Sequence, residues 1–463
     1  MSAASAPPEF ARFARKMAAE GLPEVAIRAF GDAYAQLCRG ERGTISGRDL
    51  LPIEQLPDAE RLAAYRDAGR AALPRTVVIK LNGGLGTTMG MTQAKSLLPV
   101  KGGLTFLDII ARQVLHLRRS SGAAIPLLLM NSFRTREDSL RALARYPDLP
   151  LPGLPLDFLQ HKVPRVAKAD FLPVDWPANR EHEWCPPGHG DLYTALLTSG
   201  TLAALLARGY RWAFVSNADN LGAVLDLDLL GWMASEEPPF AMEVADRTPA
   251  DRKGGHLART RDGRLLLRES AQCPADEQDE FQDLARYRYF NTNNLWLDLR
   301  VLAETLEARG GVLGLPLIAN EKPVDPADPD SPRVLQLETA MGAAIGVFDG
   351  ARAVRVPRTR FVPVKTTSDL LAVWSDAYTL REDWQVCPAP REGLEPLFVD
   401  LDPRFFRRVP DLEARFPAGA PSLLRCERFV IAGDVRFAGP VTVIGRVRVE
   451  GPRVIPAGAV LSG

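Results

Sequence analysis

The sequence predicts an α/β protein with a largely parallel central sheet. From residue 75 to about residue 370, short apolar runs alternate with helical stretches, as in strands joined by crossover helices. The runs TVVIKL, IPLLLMN, LDFLQ, WAFVSN and PFAMEVA predict buried strands, and FLDIIARQVLHLRR and DLYTALLTSGTLAALLARG predict helices. Ligands of such sheets bind beyond the carboxyl ends of the strands. The polar clusters NGGLG, MNSF and SNADN at three of these ends therefore indicate a binding site.

Two further regions flank this core, since 463 residues exceed one ordinary core. Residues 1–70 are predicted to be helical, because Phe10, Phe13, Ala14 and Met17 recur at helical spacing and PDAERLAAYRDAGRAAL is rich in helix formers. The tail ERFVIAGDVRFAGPVTVIGRVRVEGPRVIPAGAVLSG repeats short apolar strands at a spacing near six residues. This spacing favours a small β-helix, with a β-meander as the alternative.

The composition argues against several classes of protein. Lys+Arg 57 balances Asp+Glu 57, so no charge excess points to a nucleic-acid or membrane surface. The five cysteines are scattered without a CxxC pair, which is typical of a reducing compartment and of neither a zinc site nor a disulfide framework. The start, MSAASAPPEFARFARK, has no apolar signal core. We therefore expect a cytoplasmic protein.

The loop LNGGLGTTMG, residues 81–90, follows the first predicted strand. Glycines let a backbone approach a ligand closely, so Gly83, Gly84 and Gly86 are candidates for a phosphate cradle. Lys95, just beyond, would neutralise phosphate charge. An ordinary tight turn is the alternative. The loop is not a P-loop, because GxxxxGK[ST] is absent, and it lacks the GxGxxG pattern of a dinucleotide site.

Two later motifs add polar groups. In WCPPGHGDLYTAL, His189 lies between Gly188 and Gly190 and is well placed to donate to a phosphate, and Asp191 is predicted to cap the next helix. In SNADN, Asp219 is the best candidate ligand for Mg²⁺, which takes one or two carboxylates plus substrate phosphates.

Amides suit sugar hydroxyls, and a basic cluster suits phosphate oxygens unless its arginines pair with carboxylates. The amides are Asn291, Asn293 and Asn294 of FNTNN, and the basic residues are Arg358, Arg360 and Lys365 of VPRTRFVPVK.

Six ordered motifs, LNGGLGTTMG…AKS, PPGHGDLY, SNADNLGA, FNTNNLW, QLETAMGAAI and VPRTRFVPVKTTSDL, resemble the eukaryotic UTP–glucose-1-phosphate uridylyltransferase (UDP-glucose pyrophosphorylase) family. The resemblance covers roughly residues 75–375. It differs from the common bacterial uridylyltransferases, whose loop reads GxGTRxxP, because Thr88 stands where that arginine would be.

The resemblance implies a Rossmann-like nucleotidyltransferase core with a mixed sheet over residues 71–380. A helical N-terminal region, 1–70, would precede it, and a C-terminal left-handed β-helix, 381–463, would follow it. The implied reaction joins UTP and glucose 1-phosphate into UDP-glucose and pyrophosphate with Mg²⁺. The C-terminal domain is a candidate surface for a homo-oligomer, and no nucleic acid or membrane is expected as a partner.

The resemblance also implies roles residue by residue. Lys95 and Lys365 would be catalytic, and Asp219 would bind the metal. The implied nucleotide-binding residues are Leu81, Asn82, Gly83, Gly84, Lys95, Met130, Gln160, Gly188, Asp219 and Lys365. The implied sugar-phosphate-binding residues are His189, Asn217, Gly255, Glu269, Phe290, Asn291 and Asn293.

Three other functions fit parts of this pattern. The first is the same reaction on other sugar 1-phosphates, by a broad UDP-sugar or a UDP-N-acetylhexosamine pyrophosphorylase. The FNTNN and PPGHGD motifs argue against the N-acetyl class. The second is a glycosyltransferase that consumes a UDP-sugar. The third is a non-catalytic sensor, which would be expected to lose Lys95, Asp219 or Lys365, and all three are present.

Overall fold

The computed structural model of the protein describes residues 7–41, 43–252 and 254–463. Its N-terminal part is mainly helical. Phe13 and Met17 pack against Phe30 and Tyr34, which confirms the predicted amphipathic first helix. The elements of this part are α1 (Phe10–Ala19), α2 (Glu24–Cys38), β1 (Leu50–Leu51) and α3 (Arg66–Ala72).

The central part alternates strands with helices, as predicted. Its strands are β2 (Thr76–Asn82), β3 (Pro99–Lys101), β4 (Leu104–Thr105), β5 (Leu127–Asn131), β6 (Asp157–Leu159), β7 (Val163–Pro164), β8 (Val166–Ala167), β9 (Trp184–Cys185), β10 (Trp212–Asn217), β11 (Phe240–Asp246), β12 (His256–Thr260), β13 (Leu265–Arg268), β14 (Tyr289–Asp298), β15 (Ile318–Pro323), β16 (Arg333–Glu338) and β17 (Arg352–Arg355). Its helices are α4 (Phe106–Ser121), α5 (Arg136–Leu143), α6 (Leu192–Thr198), α7 (Thr201–Ala207), α8 (Leu227–Glu236), α9 (Gln278–Phe281), α10 (Leu299–Ala308) and α11 (Thr367–Trp374).

Within the described residues, ten strands form the central sheet, in the path β1-β12-β14-β10-β2-β5-β6. The path is extended by β11 between β14 and β17, and by β13 beside β12. Strands β10, β2, β5 and β6 run parallel, whereas β14 runs antiparallel to β10 and to β11. All five apolar runs that predicted strands lie in this sheet, so the α/β class and the mixed sheet are confirmed.

The register of the parallel strands brings their carboxyl ends side by side. Leu81 near the end of β2 pairs with Asn217 of β10 on one side and with Met130 of β5 on the other. Successive side chains of a strand point to opposite faces. Ile79 accordingly packs into one core layer and Val78 into the layer on the other face. The predicted binding edge is therefore the common end of a sheet that is covered on both faces.

The stretch 57–73 forms an α-helix only in its last third, although its composition predicts a helix throughout. Two short 3-10 turns at 59–61 and 63–65 precede α3. The first residues of the stretch are held by β17. The backbone N–H of Arg355 donates to the carbonyl of Pro57 at 2.8 Å, and its guanidinium binds the carboxylates of Asp58 and Glu60. These tertiary contacts override local propensity.

The C-terminal part consists mainly of short parallel strands. Its elements are β18 (Tyr378–Leu380), β19 (Val386–Pro388), β20 (Phe398–Leu401), α12 (Pro403–Phe406), α13 (Val409–Arg415), β21 (Cys426–Ala432), β22 (Val435–Phe437), β23 (Thr442–Glu450), β24 (Arg453–Ile455) and β25 (Val460–Ser462). Strands β20, β21, β23 and β25 pair in that order, all in parallel, and β22 pairs in parallel with β24.

The core of the C-terminal part is shared with the central part. Phe406, Phe429 and Phe437 belong to the same buried cluster as Met89 of the glycine-rich loop and Phe106 of α4. The two parts are therefore packed into one hydrophobic core at this place. No helix of the described residues is long and apolar enough to cross a membrane.

Two glycines allow α3 and α8 to pack backbone against backbone. A Cβ placed on Gly231 of α8 would collide with the carbonyl oxygen of Tyr65 and lie 2.8 Å from the N of Gly69. We expect Gly231→Ala to lower the free energy of unfolding by about 1–3 kcal/mol, because a rigid backbone contact cannot absorb an added methyl group.

The matched control is Ser235→Ala, which places the same residue at an exposed position of the same helix. It should leave stability unchanged or slightly higher, because alanine is the better helix former. Urea unfolding of the three proteins measures the difference. Equal stability of the two variants would contradict the close packing of α3 on α8.

Candidate active site

The glycine-rich loop turns back on itself at the end of β2. Gly86 has a φ of +65°, and a Cβ there would lie 3.0 Å from the sulfur of Met91 and 3.2 Å from Cγ of Lys95. The backbone N–H of Lys95 donates to the carbonyl of Gly84 at 3.0 Å. A glycine is therefore needed at residue 86 for both its conformation and its space, and this close fold brings Lys95 back beside the glycines.

Lys95 forms an ion pair with Asp219, which lies two residues beyond the end of β10. The side chains of the pair are 14% and 23% exposed. The N–H of Ala218 donates to the carbonyl of Leu81 at 3.0 Å, and this bond fixes the Asp219 segment against β2. The sequence placed these two charges 124 residues apart, and the sheet register brings them into contact.

The segment that leads to Lys365 is held at the same edge by hydrogen bonds from Asn220. The Asn220 Oδ1 accepts from the N–H of Val362 at 2.8 Å, and its Nδ2 donates to the carbonyl of Arg360 at 3.1 Å. Next to them, the N–H of Val364 donates to the carbonyl of Asp219 at 3.1 Å. The side chain of Lys365 itself is exposed, so its charge is available at the surface of the site.

His189 lies in the PPGHGD loop with its donor and acceptor roles fixed. The backbone N–H of Met341 donates to Nδ1 of His189 at 3.0 Å, so the neutral ring carries its proton on Nε2. Burial, with a smaller contribution from the positive charge of Lys365, lowers the pKa of His189 from 6.5 to about 4. At neutral pH the ring is therefore an uncharged N–H donor. Its donation to a phosphate stays a prediction.

Gln160 and Gly188 meet at the end of β6. The Nε2 of Gln160 donates to the carbonyl of Gly188 at 2.9 Å. Gly188 has a φ of +80°, and a Cβ there would collide with the backbone of Thr339. The loop therefore packs directly on the backbone of Thr339, and a side chain at residue 188 would push the loop away from it.

Asp191 does not cap the following helix, so this prediction was wrong. As the residue before α6 it makes no capping hydrogen bond with its side chain. Its carboxylate instead accepts from the backbone N–H of His161 at 2.7 Å and from Nδ1 of His161 at 2.8 Å. The cause is tertiary: His161 follows the strand that packs beside the loop and supplies a stronger pair of donors.

An open cleft of about 630 Å³ gathers most of the predicted sugar-binding residues. Its lining includes Gly255, Glu269, Phe290, Asn291, Asn293 and Lys365. A Cβ on Gly255 would collide with the carboxylate of Glu269, so the glycine gives that carboxylate its space. Burial raises the pKa of Glu269, and nearby Lys365 opposes this shift.

The two asparagines of the cleft orient each other. Nδ2 of Asn291 donates to Oδ1 of Asn293 at 2.9 Å, and the backbone N–H of Asn293 donates to Oδ1 of Asn291 at 2.8 Å. Asn293 has a φ of +59°, in the left-handed region that asparagine tolerates. Asn217, half-buried at the end of β10, lies at the same sheet edge.

Three predicted nucleotide-binding residues point into the protein. The side chains of Leu81 and Met130 are buried in the core. The side chain of Asn82 is also buried, and its Nδ2 donates to Oδ1 of Asn131 and to Oγ of Ser139, each at 2.7 Å. Both N–H donors of the Asn82 amide are therefore used inside the sheet end, and the assignment of Asn82 to the nucleotide stays a prediction.

The two arginines of VPRTRFVPVK pair with carboxylates, which was one of the two predicted outcomes. Arg360 is buried and binds both oxygens of Glu243, at 2.7 Å and 2.6 Å. Arg358 binds Asp251 at 2.8 Å on the wall of the cleft. Among the basic residues of this motif, Lys365 therefore carries the charge that faces the cleft.

Several cleft residues were missed by sequence reasoning. Tyr378, Phe398 and Val399 from the C-terminal part also line the cleft. Phe398 lies in a proline-rich, poorly periodic stretch, and the sequence carries no signal that would have placed it there. Ser132 was quoted only within MNSF, and its hydroxyl donates to the carbonyl of Gly83 at 3.0 Å.

Comparisons with known proteins give the family. The family model described as UTP–glucose-1-phosphate uridylyltransferase matches residues 28–443. The chain belongs to the UTP–glucose-1-phosphate uridylyltransferase family. The chain is 42% identical to the enzyme of that name from Solanum tuberosum, over 84% of this chain and 80% of the relative. It is also 42% identical to the one from Saccharomyces cerevisiae, over 93% of this chain and 87% of the relative.

Solved structures of the family agree over almost the whole chain. A variant of the UDP-glucose pyrophosphorylase of Leishmania major, in complex with UDP-glucose, matches with a TM-score of 0.93 and 42% identity over 99% of both chains. A structure of the enzyme from Trypanosoma brucei matches with a TM-score of 0.90 and 42% identity over 98% of both chains. The relatives from plants and yeast confirm the eukaryotic type of the family.

The lowered pKa of His189 predicts a loss of stability in acid. Below pH 6.5 the unfolded chain protonates this ring, whereas the folded protein resists protonation until about pH 4. Folding is therefore penalised progressively as the pH falls through this window. Between pH 7 and pH 5, we expect the free energy of unfolding to fall by about 1–2 kcal/mol less in His189→Asn than in the wild type. Oδ1 of the asparagine can accept from the Met341 N–H, so this hydrogen bond is kept.

Urea unfolding of both proteins at the two pH values measures this difference. Burial also lowers the pKa of His256, to about 3, but His256 is present in both proteins and its contribution cancels. Identical losses in the two proteins would mean that His189 protonates freely in the folded state.

Proposed function

We propose that the protein transfers the uridylyl group of UTP to glucose 1-phosphate, giving UDP-glucose and pyrophosphate. One observation carries the proposal: Lys95 and Asp219 form an ion pair beside the glycine-rich loop, and the Asp219 backbone is hydrogen-bonded to Val364, next to Lys365 on the 630 Å³ cleft. Membership of the family supports it, as does the likeness to a Leishmania major enzyme solved with UDP-glucose.

The nucleotide is proposed to lie along the loop between β2 and Lys95. The backbone of Leu81, Gly83 and Gly84 follows the strand end, where N–H groups suit phosphate oxygens. The uracil is proposed to lie against Gln160, Gly188 and Met130. Side-chain amides read such bases by donor and acceptor order. Nε2 of Gln160 already donates to the carbonyl of Gly188, so its Oε1 is left to accept from N3–H of uracil.

Glucose 1-phosphate is proposed to occupy the cleft. Asn291 and Asn293, held by one another, offer amide groups to the sugar hydroxyls, and Glu269 offers a carboxylate with them. The remaining contacts are assigned to Gly255, Phe290 and Asn217. His189 donates to the sugar phosphate through Nε2–H, as its hydrogen bond from Met341 requires.

The reaction needs positioning and charge neutralisation more than covalent catalysis. A phosphate oxygen of glucose 1-phosphate attacks the α-phosphorus of UTP in line. The bond from that phosphorus to the bridging oxygen breaks, and pyrophosphate leaves with the electron pair. Two polyanions must approach each other, and the ammonium groups of Lys95 and Lys365 offset their repulsion. Neither a nucleophilic serine nor a nucleophilic cysteine is required.

Asp219 has the chemistry and the exposure expected of a Mg²⁺ ligand. It is a partly exposed carboxylate at a strand end, and no cluster of three or more His, Cys, Asp or Glu side chains in the described part of the chain could hold a metal alone. Mg²⁺ commonly binds through one or two carboxylates and substrate phosphates, with water completing its shell. Such an ion would supply charge neutralisation on the phosphates, while Lys95 holds the carboxylate in place.

The C-terminal strands are proposed to form a left-handed β-helix, with domain boundaries near residues 70 and 380. Parallel partners in this part, such as Val435 with Arg453 and Thr442 with Val460, are 18 residues apart. Three stretches of six residues fill that interval, which matches the spacing near six seen in the sequence. A β-meander would pair neighbouring strands antiparallel.

The decisive experiment measures pyrophosphate release from UTP and Mg²⁺ with a panel of sugar 1-phosphates. The proposal expects glucose 1-phosphate to give the highest kcat/KM and UDP-glucose to accumulate in step with pyrophosphate. Equal rates with several sugar 1-phosphates would favour a broad UDP-sugar pyrophosphorylase. Release of UDP from UDP-glucose would favour a glycosyltransferase, and binding without turnover would favour a sensor.

For the metal carboxylate we expect Asp219→Asn to lower kcat at least about 100-fold, because positioned charges of this kind contribute about that much to a transition state. The fold should persist, since the side chain is partly exposed at a strand end. Asp330→Asn, at an exposed turn before β16, is the matched control and should keep wild-type turnover. Turnover is measured over a Mg²⁺ titration, and full activity of the folded Asp219→Asn protein would remove Asp219 from the metal site.

For the second cation we expect Lys365→Ala to lower kcat by about 10²–10³ in both the forward and the pyrophosphorolysis direction, since both pass through one transition state. Thermal stability should change little because the side chain is exposed. Lys322→Ala, which removes an exposed lysine from β15, is the control. A raised KM with unchanged kcat would limit Lys365 to ground-state binding and leave Lys95 as the leading catalytic cation.

A further inference from the structure

A buried His161–Asp191 pair joins the two segments that carry the proposed uracil-reading groups. His161 directly follows Gln160, and Asp191 is three residues beyond Gly188. The two side chains are 9% and 7% exposed. Nδ1 of His161 lies 2.8 Å from Oδ1 and 3.1 Å from Oδ2 of Asp191, so the contact is close to both carboxylate oxygens.

The pair makes further hydrogen bonds to the main chain and to α6. The backbone N–H of His161 also donates to Asp191, at 2.7 Å, so one carboxylate binds both the main chain and the ring of the same residue. Nε2 of His161 lies 3.0 Å from Oγ1 of Thr198 in α6. Breaking this pair would cost free energy, because the buried carboxylate of Asp191 would lose the hydrogen bonds that offset its desolvation.

The PPGHGD loop, which carries Asp191, is also held in place by the chain at Thr339. The N–H of Gly190 donates to the carbonyl of Thr339 at 2.8 Å, and the N–H of Thr339 donates to the carbonyl of Pro187 at 2.9 Å. Gly188 packs so closely on the Thr339 backbone that a Cβ would collide. The spacing between the end of β6 and the loop is therefore set on one side by Thr339 and on the other by His161 and Asp191.

The orientation of the Gln160 amide depends on this spacing. Its Nε2 reaches the carbonyl of Gly188 at 2.9 Å, and its Oε1 lies 2.9 Å from the position a Cβ of Gly83 would occupy. Oε1 thus faces the loop proposed to hold the nucleotide. If the segments moved apart, the bond to Gly188 would be lost and the amide could turn over, presenting N–H instead of oxygen to the base.

We infer that His161 and Asp191 are positioning residues for base selection: they lock the Gln160 amide so that its oxygen accepts from the N3–H of uracil and rejects cytosine. The inference rests on the proposed function. Uracil carries a donor at N3, whereas cytosine carries an acceptor there. If Oε1 of Gln160 faces N3 of cytosine, two acceptors meet and both stay unpaired. The proposed function assigns neither His161 nor Asp191 to the phosphates, so the chemical step is left to the lysines.

The test compares two substitutions of His161 that differ in one donor. Asparagine places a side-chain N–H near the position of Nδ1, so His161→Asn keeps the bond to Asp191, whereas His161→Leu removes it. We expect His161→Leu to raise the KM for UTP at least about tenfold and to lower the UTP/CTP ratio of kcat/KM at least about fivefold, which are the effects of losing base-reading hydrogen bonds. The kcat at saturating UTP and the KM for glucose 1-phosphate should stay within about threefold of wild type. His161→Asn should stay within about threefold of wild type on all four measures.

A second substitution covers the case in which His161→Leu does not fold. Asp191→Asn has almost the same shape, but its NH₂ group replaces one of the two oxygens that accept from the N–H groups of His161. Asp191→Asn should lower the UTP/CTP ratio of kcat/KM in the same way. Its Tm should stay within a few degrees of the wild-type value. An unchanged ratio in folded His161→Leu or Asp191→Asn overturns the inference, as do equal losses in His161→Leu and His161→Asn. A fall in kcat alone also overturns it.

The wild-type protein separates this result from a failure of the proposed function. If it forms no UDP-glucose from UTP and glucose 1-phosphate, the proposed function fails and the inference falls with it. If it forms UDP-glucose and prefers UTP to CTP, the variants then test the positioning pair alone.

Discussion

The parallel register of β10, β2, β5 and β6 is the constraint on which the site depends. Parallel strands end at one edge, so the segments that follow them are neighbours in space whatever their distance along the chain. Leu81 pairs with both Asn217 and Met130, and this single alignment brings the glycine-rich loop, the Asp219 segment and the end of β5 together. A slip by one residue would turn every side chain of a strand to the other face.

The parts of the fold that local pattern controls were predictable. The strands came from apolar runs, and the shared sheet edge predicted that the NGGLG and SNADN clusters are neighbours. What tertiary contacts decide was not predictable. Pro57 and its neighbours are held by Arg355, which breaks a stretch that composition alone makes helical. Asp191 looks like a helix cap in sequence, yet it binds a histidine 30 residues away.

The same limit applies within the site. The position of Lys365 depends on the Asn220–Val362 hydrogen bond across 142 residues, and only the ordered motifs of the family pointed to it. The inward turn of Asn82 could not be read from its place beside the glycines, because its partners Asn131 and Ser139 come from other elements. Position in a motif predicted which segment belongs to the site but not which way each side chain points.

The cations of the protein are divided between two environments. Arg360 is buried, and both oxygens of Glu243 neutralise it. Lys365 is exposed at the cleft. A buried charge needs a fixed partner to offset its desolvation, whereas a charge at an open cleft keeps its solvation until a ligand arrives. The two residues are only five apart in sequence, and burial alone gives one a structural task and leaves the other for an anionic ligand.

The core shared by Met89, Phe106 and Phe437 has a consequence for how the protein is made. A ribosome delivers the glycine-rich loop early, and Phe406, Phe429 and Phe437 of the same buried cluster follow more than 300 residues later. At a synthesis rate of about 5–20 residues per second, the nascent chain waits tens of seconds with that apolar patch uncovered. The glycine-rich loop therefore reaches its final packing only near the end of translation, and a chain that stalls before Phe437 would leave part of this apolar cluster exposed.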